Sequence, residues 1–170
     1  FNVSTGALVH TLANPNAYGT VASDNFGQQV AISGNYAIIS SHSEADAGGT
    51  TSGKAYIFNV STGALVHTLD NPNAYGTSAG DRFGYALAAS SEYVAIGTFG
   101  ETDASGKIYI FNVSTGALIQ TIDNPNAYGT SDSDFFGRSV AISDTYMYVT
   151  AYGEDDAGGS DSGKVYVYTV

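Results

Sequence analysis

Apolar and polar residues alternate along this chain in short runs that stop at Gly, Asn, Ser or Asp, and the same succession of runs appears three times. The first run of each set is FGQQVAIS (26–33), FGYALAAS (83–90) or FGRSVAIS (136–143). A polar turn leads to the second, which is YAIISS (36–41), YVAIGT (93–98) or YMYVTA (146–151). An acidic, Gly-rich stretch precedes the third: KAYIFNV (54–60), KIYIFNV (107–113) or KVYVYTV (164–170). After the turn STG, ALVHTL (7–12 and 64–69) or ALIQTI (117–122) makes the fourth. Short runs rich in β-branched and aromatic residues, bounded by Gly, Ser and Asn, predict strands joined by tight turns. No stretch suggests a helix.

The string FNVSTGALVHTL stands at Phe1 and again at Phe58, FNVSTGALIQTI begins at Phe111, and Tyr168 is the next equivalent position. The spacings are 57, 53 and 57 residues, and one segment explains the short one. GETDASGK (100–107) is four residues shorter than SEADAGGTTSGK (43–54) and GEDDAGGSDSGK (153–164). A length change confined to one Gly-rich segment marks an exposed loop. The polar, Pro-bearing DNPNAYGTSAGD (70–81) joins one unit to the next.

Four short antiparallel strands followed by a longer crossover is the plan of a propeller blade; a β-solenoid is the runner-up, but its coils repeat every 20 to 30 residues or so. The expected fold is all-β: a single repeat domain over 1–170, with three four-stranded antiparallel blades in units of approximately 1–57, 58–110 and 111–170. Closed propellers use roughly four to eight blades, so three imply a partial or open propeller, or part of a larger assembly. The last unit lacks its fourth strand, and the first twelve residues form a fourth strand without a sheet. One expectation is a stretch of a longer propeller. The other is head-to-tail association of copies, because an open blade edge is a template for pairing.

With the units laid out, DRFGYALAASSEYVAIGTFGETDASGKIYIFN (81–112) resembles the bacterial FG-GAP repeats, which are related to the integrin α-subunit propeller. The matching features are Phe26-Gly27, Phe83-Gly84 and Phe136-Gly137, the preceding Asp24, Asp81 and Asp134, and SGKxYxF in the third strand. The resemblance spans essentially all three units. TFG (98–100) and AYG (151–153) stand where that pattern has Gly-Ala-Pro, and no DxDxDG calcium loop is present.

Composition narrows the partners. Sixteen Asp plus Glu against five Lys plus Arg leave a formal charge of −11, which repels nucleic-acid phosphates and anionic lipid headgroups. No apolar run approaches the roughly 18 residues that span a bilayer. The 21 Gly and 13 Tyr suit strands and turns, and with no Cys there is no disulfide or thiolate chemistry. The first residue is Phe, with neither an initiator Met nor a signal peptide, as in a processed, excised or partial chain.

Among chemistry-bearing residues, the acidic loops are the candidate calcium sites: Glu44 and Asp46 in the first, and Glu154, Asp155, Asp156 and Asp161 in the third. Calcium takes six to eight oxygen ligands, and a Gly-rich loop lets carboxylates converge. The alternative is a set of solvated turns, with Lys54, Lys107 and Lys164 neutralising them locally. Asp24, Asp81 and Asp134 are expected to accept backbone N–H groups in the turn before strand one. The Phe after each is expected to pack between blades, its Gly permitting close approach.

Tyr18, Tyr75 and Tyr128 in NPNAYGT form a candidate recognition surface for protein or carbohydrate, or cap the sheet edge. Catalysis has little support. His10 and His67 share a position with Gln120, and His42 shares one with Phe99 and Tyr152, as on an ordinary strand surface. No G-x-S-x-G elbow occurs. NVS at Asn2, Asn59 and Asn112 fits the glycosylation pattern but also a hairpin turn.

The function expected is therefore a non-enzymatic, extracellular or surface-exposed repeat protein for adhesion, ligand binding or assembly. The alternatives are a virion or surface-filament component built by strand exchange, and a fragment of a propeller hydrolase or lyase.

Overall fold

The computed structural model describes residues 2–16, 22–47, 49–73, 78–126 and 130–170. The first sheet holds β1 (Val30–Ser33), β2 (Tyr36–Ser41), β3 (Lys54–Asn59) and β4 (Leu65–Asp70), antiparallel in that order. The second holds β5 (Ala86–Ala89), β6 (Tyr93–Thr98), β7 (Lys107–Asn112) and β8 (Leu118–Asp123) in the same order. The third holds β9 (Val140–Ile142), β10 (Tyr146–Ala151) and β11 (Lys164–Thr169), and so has three strands. The chain is all-β, in three propeller-like blades that do not close into a barrel.

The hairpin turns repeat atom for atom. Asn59 N–H donates to Ala64 O at 2.9 Å and Gly63 N–H to Asn59 O at 2.8 Å; Asn112 repeats both bonds with Ala117 and Gly116. The Asn59 side chain accepts from Ser61 N–H at 2.9 Å and Thr62 N–H at 3.2 Å, so Asn and Ser here serve the turn. Each hairpin carries a one-residue irregularity in the ladder, between Ile57 and Phe58 and between Ile110 and Phe111.

The core lies between sheets rather than inside any one. Phe83 is fully buried with Ile38, Ile57 and Leu69 of the first sheet and Val94, Ile96 and Phe111 of the second. Phe136 does the same between the second and third, beside Ile108, Met147 and Val149. The Phe of the second and third Phe-Gly pairs is thus the inter-blade wedge expected from the sequence, whereas Phe26 is only partly buried, against Tyr56 and Phe58 of its own sheet; burying such a ring stabilises by about 1.5–3 kcal/mol. Its Gly lies equally close: a Cβ on Gly137 would meet Lys107 O at 2.6 Å.

Three expectations are corrected. Strand one begins later than Phe-Gly, because Asn25, Arg82 and Phe135 take φ near 60° and Gly27, Gly84 and Gly137 near 85°. Phe-Gly is a turn, closed by N–H donation from Gln28, Tyr85 and Arg138 to the carbonyls of Asn25, Arg82 and Phe135. The shortened acidic loop contains a helical turn, α1 (Glu101–Ala104), kinked where Thr102 and Asp103 sit at φ 54°. And residues 7–12 form no strand here, although residues 2–7 do make the hairpin turn.

Candidate functional site

The side chains that recur in every unit turn out to clamp the loops. Asp81 Oδ2 accepts from the Asn71 amide at 2.9 Å and the Asn73 amide at 2.7 Å. Asp24 takes both Asn14 and Asn16 at 2.8 Å, and Asp134 takes Asn124 at 2.7 Å. These aspartates therefore hold the Asn side chains of the preceding NPN, not backbone N–H groups as the turn chemistry suggested. Their carbonyls do bind backbone, accepting Ser43, Gly100 and Gly153 N–H. Burial raises the Asp134 carboxyl above the ordinary range, with the Asn124 bond opposing and the Glu154 and Asp155 charges adding to the rise.

The acidic loops show the same inward logic. Glu44 is buried, and both its oxygens accept from the Tyr56 hydroxyl at 2.8 Å. Glu154 accepts from Tyr166 and, at 2.6 Å, from the Lys164 ammonium; Glu101 accepts from Tyr109 at 2.8 Å and lies 3.0 Å from Lys107. Burial holds the Glu44 carboxyl above the usual carboxylate range, against the opposing Tyr56 bond and Lys54 charge. Burial, together with the bonded glutamate, pushes the phenols of Tyr56 and Tyr109 up.

For calcium the fit is poor. Glu44 and Glu154 give their oxygens to Tyr and Lys donors, Asp46 takes Ser52 Oγ at 2.8 Å, Asp156 takes Gly158 N–H, and Asp155 takes the N–H of Asp161. Among the described residues no group of three or more His, Asp or Glu side chains is arranged to hold a metal. Tyr18, Tyr75 and Tyr128, the candidate recognition residues, lie outside the described residues.

A different surface gathers instead, at the end of each sheet where strand one begins and strand two finishes. His42, Tyr85, Phe99, Phe135 and Tyr152 form a row across all three sheets, with successive ring centroids 5.4, 4.4, 6.0 and 5.0 Å apart. The Arg138 guanidinium lies 5.1 Å from the Tyr85 ring, 4.9 Å from Phe99 and 5.3 Å from Tyr152, and Arg82 lies 5.4 Å from Phe99. These are the two arginines of the chain. Among the described residues neither forms a carboxylate ion pair, whereas all three lysines do.

A crevice of about 660 Å³ adjoins the row, lined in part by Asp24, Asn25, His42, Ser43, Thr51 and Arg82. His42 is buried there with Nδ1 lacking a hydrogen-bond partner among the described residues, and burial and the Arg82 charge lower its pKa. Reasoning from sequence missed this row, yet a signal existed. The residues on either side of Phe-Gly (25/82/135 and 28/85/138) change from unit to unit, although Phe-Gly itself and the Asp before it (24/81/134) stay constant, and the residue after strand two (42/99/152) changes as well.

The other two histidines contact hairpin turns rather than standing on bare strand surface, and His67 does so from the first sheet to the second. His67 Nε2 lies 2.9 Å from Ser114 O in the next hairpin, and His10 Nε2 lies 3.1 Å from Ser61 O. The FG-GAP repeat family profile matches the chain three times, over residues 16–58, 73–111 and 126–168. Each match runs from the NPN loop into the third strand and so takes in the Asp clamp, the Phe-Gly turn and the buried glutamate. No curated protein matches the chain.

Proposed function

Because this chain belongs to the FG-GAP repeat family and forms a β-propeller-type repeat domain, we propose that it is a non-enzymatic, extracellular or surface-exposed scaffold that binds a protein or carbohydrate ligand on the aromatic–arginine row. One observation carries this. In a chain with a formal charge of −11, two arginines without carboxylate partners among the described residues stand over a continuous line of rings. Guanidinium stacked on aromatic rings keeps its N–H fork free for a bidentate anion. Aromatic residues and arginine are also the side chains that dominate binding energy at interfaces.

The ligand class that fits presents carboxylate or sulfate beside an apolar ring or face. Support for a non-catalytic role comes from the three histidines, two of which contact turn carbonyls while the third is packed on Tyr85. No helix among the described residues is long and apolar enough to cross a membrane.

The test is binding of the labelled chain to a panel of acidic and neutral oligosaccharides and acidic peptides, with Arg82→Ala/Arg138→Ala alongside. The wild type should retain acidic members, and the double variant should lose affinity by about 10- to 100-fold, as hot-spot arginines do. Equal binding by both proteins, or none by the wild type, overturns the proposal.

A further inference from the structure

The crevice beside the aromatic row lies where the loops of the first sheet meet the start of the second, and the equivalent place at the next junction holds rings. There Phe99 stands in the position of His42, with the Arg82 guanidinium 5.4 Å from its ring and the Phe135 ring 6.0 Å from it. At the first junction the corresponding groups are smaller or turned elsewhere. Asn25, the equivalent of Arg82, gives its amide to Ser43 Oγ at 2.8 Å, and the His42 ring packs on Tyr85. The space left open is about 660 Å³, within the roughly 300–1,000 Å³ of small-molecule sites.

Backbone hydrogen bonds hold its walls. Gly80 N–H donates to Thr50 O at 3.0 Å and Arg82 N–H to Thr51 O at 3.1 Å, which ties the acidic loop of the first unit to the turn that carries Arg82. On the other wall Ser43 N–H and Ser41 Oγ donate to Asp24 O at 3.3 and 3.1 Å.

Two groups on these walls have bonding capacity to spare. His42 is buried, and its Nδ1 has no hydrogen-bond partner among the described residues, a cost that a ligand group bonded there removes. Arg82 forms no carboxylate ion pair among the described residues, so its N–H fork is open to a carboxylate from outside. Ser43, Thr50 and Thr51 also line the crevice, and their hydroxyls both donate and accept, as sugar hydroxyls do.

We infer that the crevice seats a terminal uronate of an acidic oligosaccharide, its carboxylate on the Arg82 guanidinium and a ring hydroxyl on His42 Nδ1. This rests on the reading of the aromatic–arginine row as a ligand surface and names what the first position of that row takes. An acidic peptide fits less well. An extended peptide is recognised through main-chain hydrogen bonds along a strand edge, whereas the groups offered here are imidazole, guanidinium and hydroxyl. From the crevice the following sugars pass over Tyr85 and Phe99, where Arg138 lies 5.1 and 4.9 Å from the rings.

The probe is sodium D-glucuronate, added to the chain carrying ¹⁵N-labelled histidine. It should shift the ring nitrogens of His42, identified as the signals absent from His42→Phe, and leave those of His10 and His67 in place. D-Glucose, which lacks the carboxylate, and N-acetyl-L-aspartate, which lacks the hydroxyls, should each bind at least about 10-fold more weakly. Asn25→Phe sets a ring in the crevice at a φ of 59°, where Phe135 already takes 56°, and should weaken D-glucuronate by at least about 10-fold. Arg138→Ala should leave D-glucuronate binding unchanged and weaken a uronate tetrasaccharide. An unmoved His42 signal, N-acetyl-L-aspartate binding as tightly as D-glucuronate, or full affinity in a folded Asn25→Phe variant overturns this inference; should that variant not fold, the first two readings decide. If Arg138→Ala still weakens the tetrasaccharide in that case, the row stands as a ligand surface without the crevice. A wild type that binds neither sugar overturns both.

Discussion

β7 and β11 are written almost identically, KIYIFN and KVYVYT, yet they live in different surroundings. In the middle sheet Ile108 is fully buried and Ile110 nearly so; at the equivalent places in the third sheet Val165 and Val167 are more than half exposed. β3, with its neighbours in place, matches β7. The strand's sequence sets which residues lie on each face, and the adjoining sheet decides whether a face is covered. A repeat of this kind is stable by its interfaces, so energy should concentrate at the wedges and thin out toward the free edge.

The largest effect expected is at those wedges. Phe83→Ala removes a fully buried ring from between the first two sheets and should cost about 3–5 kcal/mol, whereas Val167→Ala on the open edge should cost less than about 0.5 kcal/mol. Urea titration followed by circular dichroism measures both. Comparable losses at the two positions would mean that the outer face of β11 is covered in solution, so the pair should be measured at low and high protein concentration.

A middle-sized effect is expected at the loop clamps. Asp81→Ala removes the carboxylate that accepts from the buried Asn71 amide and from Asn73, and should cost about 2 kcal/mol. The same change at Asp24 leaves only half-buried Asn14 and Asn16 and should cost about 1 kcal/mol. Equal midpoints for the two variants would break the contrast between inner and outer units.

How far the sequence carried differs by element, for physical reasons. Strands two and three were legible to within a residue, because their runs are rich in β-branched and aromatic residues and are bounded by turn residues. Strand one was placed too early, since Phe-Gly looks like the start of an apolar run and only the φ values of Asn25, Arg82 and Phe135 show it to be a turn. The wedge role of Phe83 and Phe136 was readable from repetition alone. The partner of Asp81 was not: it depends on a crossover loop folding back eight to ten residues, which no local pattern encodes. The arginine row was hidden because its members are far apart in the chain and meet only when the sheets stack.

The smallest effect separates the two ends of that row. His42 occupies the place of Phe99 in the middle sheet and Tyr152 in the third, and its ring lies 5.4 Å from Tyr85. Burial and the Arg82 charge hold its imidazole below the ordinary value of 6.5, so the folded protein binds fewer protons at this site than the unfolded chain does. The stability this gives is complete above the ordinary imidazole range and is lost as pH falls through 6.5 toward the lower folded value. His42→Phe keeps a ring against Tyr85 and removes the proton site. Between pH 7.5 and 5 the wild type should therefore lose stability relative to His42→Phe, a difference readable from urea midpoints taken side by side. Parallel pH profiles would mean that His42 is already solvated or charged in the folded state, and the row would then begin at Tyr85.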